Sequence, residues 1–329
     1  MTPNLSTRYL GLALANPVVA SAMPMTFTVD GVRALQDAGV GAIVMRSIFE
    51  EQIREDGSAM EDDLSADLSP HAMAYLKADF AMQFNTARYL EQVRTLRASC
   101  KVPLIASLNC CRPDTWLTFA KEVENTGVDA IELNIYDISC TPSETAAKIE
   151  DRHVELVRSV LKHVSIPVAV KIAPYYTSVL NFARRLDQLG VAGLVLFNRF
   201  FQPDIDIEKM ALVNTINTSR SESLRIPLRW TALLRPFVKC DIGLTGGVHA
   251  ANDAVRGLLA GATTLCMASE IIQRGAAVVV PEVLDGLRDW MTRHRFSSLG
   301  DFRGRLAERN MRDNVGFERV QYINTFTAF

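Results

Sequence analysis

Short apolar, β-branched runs alternate with longer stretches whose apolar residues recur at helical spacing, and this alternation repeats eight times. The first run is Val18 to Ala20. A helical stretch opening at Thr28 or Asp30 follows, carries Val32, Leu35 and Ala38, and stops at Gly39. Gly41 to Met45 is the second run. A helix with Tyr89, Leu90, Val93 and Leu96 on one face precedes the third, Pro103 to Leu108. A helix over 114–126, with Asp114 as N-cap and Gly127 at its end, leads to the fourth, which opens the stretch Asp129 to Cys140. An amphipathic helix carrying Val154, Val157, Val160 and Leu161 separates it from the fifth, Pro167 to Ile172. Ser178 to Leu189 is helical and ends at Gly190. The sixth run is Gly193 to Phe197, and a helix from about Thr231 leads to the seventh, Asp241 to Leu244. A last helix, Asn252 to Leu259, precedes the eighth, Thr263 to Met267.

Runs apolar on both faces and separated by helices predict a parallel sheet, and eight is the number that closes a (β/α)8 TIM barrel. An open doubly wound sheet is the competing α/β fold, but no GxGxxG follows the first run. The polar, acidic segment from Glu50 to Pro70 has no period and reads as a loop over one end of the barrel. Beyond Pro281 a helix leads into an Arg-rich polar tail. The predicted organisation is one barrel over 1–295 and a C-terminal extension over 296–329, whose Arg-rich part from Asp301 to Gln321 reads as surface.

Composition narrows the partners. The chain has 329 residues, 22% of them charged, and a net charge of −2, which offers no electrostatic attraction for nucleic acid or an anionic membrane. No apolar run reaches the ~18 residues of a membrane span. Leu10 to Ala22 imitates a secretory leader, but Asn16-Pro17 interrupts it and we read it as a turn into the first strand. Six cysteines without a CxxC pair argue against zinc or iron–sulfur and suit a reducing cytoplasm.

In such a barrel, chemistry sits at the C-terminal strand ends. Those ends carry Ala20-Ser21, Arg46-Ser47, Asn109, Asn134, Lys171, Asn198, Thr245-Gly246-Gly247 and Ala268-Ser269. The Gly pair after the seventh strand, with the helix start at Ala268-Ser269, occupies the barrel's usual phosphate position, although Glu270 there is an objection. Lys171, an ammonium in an apolar strand, reads as a cation facing a flavin, as a Schiff-base nucleophile, or as the partner of Glu132 or Asp137. Several amides around one mouth suit a planar ring with N–H and C=O groups.

The ordered set Asn16-Pro17, Glu132-Leu133-Asn134, Val170-Lys171, Thr231-Ala232-Leu233 and Thr245-Gly246-Gly247 resembles the FMN-dependent dihydroorotate dehydrogenases, in their soluble, usually dimeric branch. The resemblance implies FMN across the barrel mouth. Its phosphate would lie on Gly246, Gly247, Ala268 and Ser269, and its ring against Ala20, Ser21, Arg46, Ser47, Asn109, Asn134 and Lys171. It also implies a dihydropyrimidine-like substrate on Asn134, Ser139 and Asn198, a homodimer, and a base that takes a proton as hydride leaves for the flavin. Counting from Asn134, that base falls on Asp137, with Cys140 the alternative and Lys171 the third catalytic group. The loop after Asn134 departs from the family pattern, as do Arg46, Arg199 and the stretch before Thr231. These departures leave open a substrate other than dihydroorotate, an FMN-binding homologue without that activity, and a Schiff-base lyase using Lys171.

Overall fold

The structure, a computed structural model, describes residues 2–49, 86–109, 113–135, 137, 139, 141–199, 203–213, 218–307 and 322–324. Eight parallel strands form the barrel: β3 (Val18–Ala20), β4 (Ala42–Val44), β6 (Leu104–Asn109), β7 (Ala130–Asn134), β8 (Val168–Ile172), β9 (Gly193–Leu196), β12 (Asp241–Thr245) and β13 (Thr264–Met267). Each pairs with the next, and β13 pairs back to β3, so the ring closes without a free edge. The alternation of apolar runs and helices is thus realised as a single (β/α)8 barrel.

The pleat divides each strand's side chains between two cores. Val19, Ala42, Val44, Ile105, Ala130, Ala169, Val195 and Cys266 point into the barrel. The other face packs beneath the helices α1 (Val29–Asp37), α2 (Thr86–Ser99), α3 (Pro113–Glu124), α4 (Ala146–His163), α5 (Val179–Gln188), α6 (Arg225–Leu234), α7 (Ala251–Ala260), α8 (Ser269–Arg274) and α9 (Ala276–Arg293). Two antiparallel hairpins lie outside the ring: β1 (Thr7–Tyr9) with β2 (Leu12–Leu14), and β10 (Asp204–Asp206) with β11 (Ala211–Val213). The short β5 (Ile48–Phe49) pairs with the upper end of β6. The first hairpin plugs the N-terminal end of the barrel. Tyr9, Leu10 and Leu14 belong to the interior core, and the Leu10 amide donates to Asp241 at 2.8 Å.

Caps follow the sequence signals. Thr28, Thr145 and Ser178 each accept a backbone N–H of the first turn of α1, α4 and α5. Three expectations are corrected. Helix α6 begins at Arg225, not near Thr231; Pro227 falls in its first turn, where a missing N–H breaks no helical bond. Helix α3 begins at Pro113, which places Asp114 inside it rather than at its cap. The extension does not start as a polar surface tail: Leu299 and Phe302 are buried, and Phe302 packs on Trp290 and Phe296. The acidic segment Glu50 to Pro70 lies outside the described residues.

Candidate active site

Three adjacent strands deliver polar side chains to one rung at the C-terminal end of the barrel. Asn109 of β6 lies beside Asn134 of β7, and Asn134 beside Lys171 of β8. Each continues the inward face set two or four residues earlier by Ile105, Ala130 and Ala169, because side chains alternate along a strand. One rung lower, Ser107 lies beside Glu132. The hydroxyls of Ser107 and Ser47 share a hydrogen bond of 2.7 Å, which fixes Ser47 over this side of the barrel.

This set is short of partners. Asn134 Oδ1 is buried and accepts no hydrogen bond, and the same holds for Glu132 Oε1. Lys171 Nζ stands 3.7 Å from Glu132 Oε1, an ion-pair separation longer than a hydrogen bond. Buried polar groups are almost always bonded. An unfilled acceptor beside a cation therefore marks a surface shaped for a polar ligand. Asn198, in contrast, spends its amide on the scaffold: Nδ2 donates to the Ile135 carbonyl at 2.8 Å and to that of Lys171 at 3.2 Å. Ala20 and Ser21 are buried at the end of β3, with the Ser21 amide on Met267 O at 2.8 Å, and Arg46 is half-buried past β4.

The loop after β7 is clamped to α4. Asp137 accepts from Arg152 at 2.6 Å and from the buried His153 at 2.9 Å. An ionised carboxylate only accepts, so His153 carries its hydrogen on Nε2, and Nδ1 takes the Tyr176 hydroxyl at 3.0 Å. The hydrogen bond from His153, helped by Arg152 and opposed by burial, holds the Asp137 carboxyl down at about 2. Ser139 donates to Glu144 at 2.5 Å, and Glu144 also receives Arg152 at 2.6 Å. Cys140 lies outside the described residues. The described cysteines Cys100, Cys240 and Cys266 are buried and free, and burial pushes the Cys266 thiol up to about 12, so they are poor nucleophiles.

On the opposite side of the mouth, three loops meet. Gly246 and Gly247 both have positive φ, +88° and +97°. A Cβ on Gly247 would lie 2.4 Å from the Leu224 amide nitrogen, so the 3₁₀ turn Ser221–Leu224 packs directly on it; a Cβ on Gly246 would meet only open space. Ser269 opens α8 beyond Ala268 and accepts from Ser219. Glu270, the expected objection to an anion here, is held by His249 at 2.7 Å and by Arg274 at 3.2 Å.

Sequence reading missed Ser107, the clamp of Arg152, His153 and Tyr176, and the pair Ser219 and His249. Ser107 was legible from period-two alternation between Ile105 and Asn109. The others act across elements, and local pattern carries no signal for them.

The sequence matches the family described as dihydroorotate dehydrogenase over residues 81–291, more than half of its length. The chain belongs to the dihydroorotate dehydrogenase family. The family is one of oxidoreductases, which sets aside the Schiff-base lyase reading of Lys171. Among its relatives is the "Dihydroorotate dehydrogenase B (NAD(+)), catalytic subunit" of Methanocaldococcus jannaschii, 26% identical over 301 residues, covering 87% of this chain and 94% of that protein. Another is the "Dihydroorotate dehydrogenase A (fumarate)" of Limosilactobacillus reuteri, 25% identical over 316 residues, covering 91% of this chain and 97% of that protein. Among the described residues no helix is long and apolar enough to cross a membrane, and no cluster of His, Cys, Asp and Glu could hold a metal ion.

Proposed function

We propose that this protein is an FMN-dependent oxidoreductase that takes hydride from the CH–CH group of a dihydropyrimidine-like ring. The observation that carries the reading is the rung Asn109, Asn134 and Lys171, with a buried, unfilled Asn134 Oδ1 beside an ammonium. That donor and acceptor set fits a planar ring carrying N–H and C=O groups, and so fits FMN and a pyrimidine alike. FMN, when bound, supplies the hydride acceptor. Lys171 would stabilise negative charge on the flavin ring, with Glu132 holding the ammonium in place. Ala20, Ser21, Arg46 and Ser47 would line the ring, and Gly246, Gly247, Ala268 and Ser269 would take the phosphate.

Asn134 and Ser139 would face the substrate. Asn198 would contribute by fixing the carbonyls of Ile135 and Lys171 at the strand ends. Of the two candidate bases, Asp137 is committed to Arg152 and His153 and is a weak base at about 2. The proposal therefore gives the proton-accepting role to Cys140 and makes Asp137 a positioning residue for its loop. The reading also carries a place in the cytoplasm and a homodimer, whose mass a sedimentation run on the purified protein would read. It stops at flavin reduction, because the names of the relatives divide between NAD(+) and fumarate as oxidant.

The test is anaerobic mixing of the FMN-loaded protein with dihydroorotate and related dihydropyrimidines. Bleaching of the visible absorbance of the oxidised flavin supports the reading. Loss of bleaching in Cys140→Ser but not in Asp137→Asn supports the base assignment, and the reverse pattern overturns it. Bound FMN that no dihydropyrimidine bleaches would favour a flavin-binding homologue with another role.

A further inference from the structure

Behind Ser269 runs a chain of hydrogen bonds that the flavin-ring side of the site does not need. Glu270 Oε2 lies 2.7 Å from His249 Nδ1, His249 Nε2 lies 3.0 Å from Ser219 Oγ, and Ser219 Oγ lies 2.9 Å from Ser269 Oγ. The Ser219 amide also donates to Ser269 Oγ, at 3.0 Å. Ser219 is 8% exposed. Glu270 is itself braced by Arg274, and the His249 amide by Asp253 Oδ2 at 3.1 Å, so the imidazole is held at both backbone and ring.

The hydrogens run in one direction along this chain when the imidazole carries both of its own and the Ser219 hydroxyl donates to Ser269. The Glu270 carboxylate accepts, so His249 carries a hydrogen on Nδ1. When Nε2 also carries one, it donates to Ser219 Oγ, and the Ser219 hydroxyl hydrogen turns to Ser269. Ser269 Oγ then accepts twice, from the Ser219 N–H and O–H. Both its lone pairs are used, and its own hydrogen is left to donate outward. The loop that carries Ser219 also covers the glycine turn: a Cβ on Gly247 would meet the backbone of Arg220 and Leu224, and one on Gly246 would meet open space.

We propose that Glu270, His249 and Ser219 form a positioning relay that holds Ser269 as a hydrogen-bond donor to a phosphate monoester, so that His249 sets the preference of this protein for FMN over its phosphate-free form. This rests on the flavin reading above and deepens it: the phosphate end of the ligand is read through a histidine two residues beyond Gly247 rather than by a lysine or arginine.

The test compares binding of FMN and of riboflavin, followed by quenching of flavin fluorescence, in the wild-type full-length protein and in His249→Ala and Ser219→Ala. Riboflavin keeps the ring and lacks the phosphate, so it reports separately on the folded barrel mouth. The relay predicts that each substitution weakens FMN roughly ten-fold or more, the worth of one hydrogen bond to a charged group, while riboflavin affinity stays as in wild type. An unchanged ratio of FMN to riboflavin affinity in both variants overturns the relay and leaves the flavin reading intact. Equal weakening of both flavins also overturns it, since that is the signature of a structural role. Failure of the wild-type protein to bind either flavin would overturn the flavin reading itself, and the relay with it.

Discussion

Lys171 and Glu132 are the two residues on which the chemistry of the mouth turns. Glu132 is 2% exposed, has one oxygen without a hydrogen bond, and has the Lys171 ammonium 3.7 Å away. Removing one member of a buried pair strands the other charge, which costs roughly 3–5 kcal/mol, whereas removing both is nearly neutral. Lys171→Ala should therefore lose about that much stability by denaturant titration as well as most of its flavin reduction. Lys171→Met combined with Glu132→Gln should regain the stability but not the reduction. A Lys171→Ala protein that keeps wild-type reduction would remove the residue from the mechanism. Asp137 gives a pH-dependent counterpart. Its carboxyl is held from an ordinary 3.8 down to about 2, so its contribution is full above the ordinary value and fades as pH falls through about 2. The stability advantage of the wild type over Asp137→Asn should be complete at neutral pH and shrink between about pH 4 and pH 2; a difference that stays constant over that window would contradict the ion pair. Sequence reading placed Lys171 and Asn134 correctly at the strand ends, because a polar residue inside an apolar run is conspicuous. It read Asp137 as the base or as a partner of Lys171 because Arg152 and His153 lie on the next helix, and a contact across elements leaves no local trace.

At the scale of elements, the site is made by register and by turns. The parallel pairing of β6, β7 and β8 lines up Asn109, Asn134 and Lys171, and a slip of one residue would turn each of them out toward the helices. On the other side the turn at Gly246 and Gly247 exists because both residues have positive φ and because nothing larger than hydrogen fits under the Ser221–Leu224 turn. Gly247→Ala should destabilise the protein by roughly 1–3 kcal/mol and weaken FMN, while Gly246→Ala, with open space around it, should keep the packing of the 3₁₀ turn; equal thermal stability of Gly247→Ala and wild type would contradict this packing. The glycine pair was legible as a turn. The element that covers it was not, since Ser221 to Leu224 shows no period and α6 begins with an Arg- and Pro-containing turn.

For the whole molecule, the ring of eight strands was readable from the sequence because each strand is buried on both faces and each helix is amphipathic, so the two periods alternate cleanly. The start of the C-terminal extension was misjudged because Leu299 and Phe302 are isolated apolar residues in a polar stretch, yet they complete the core. Closure brings the polar ends of β6, β7 and β8 and the loops after β12 and β13 around one mouth, which is the arrangement the flavin reading requires. The most direct test is a single anaerobic titration of the FMN-loaded protein with dihydroorotate and its dihydropyrimidine analogues. The account predicts stoichiometric bleaching of the flavin by at least one of them, lost in Lys171→Ala; a protein that binds no flavin, or one whose flavin stays oxidised with every dihydropyrimidine, would contradict it.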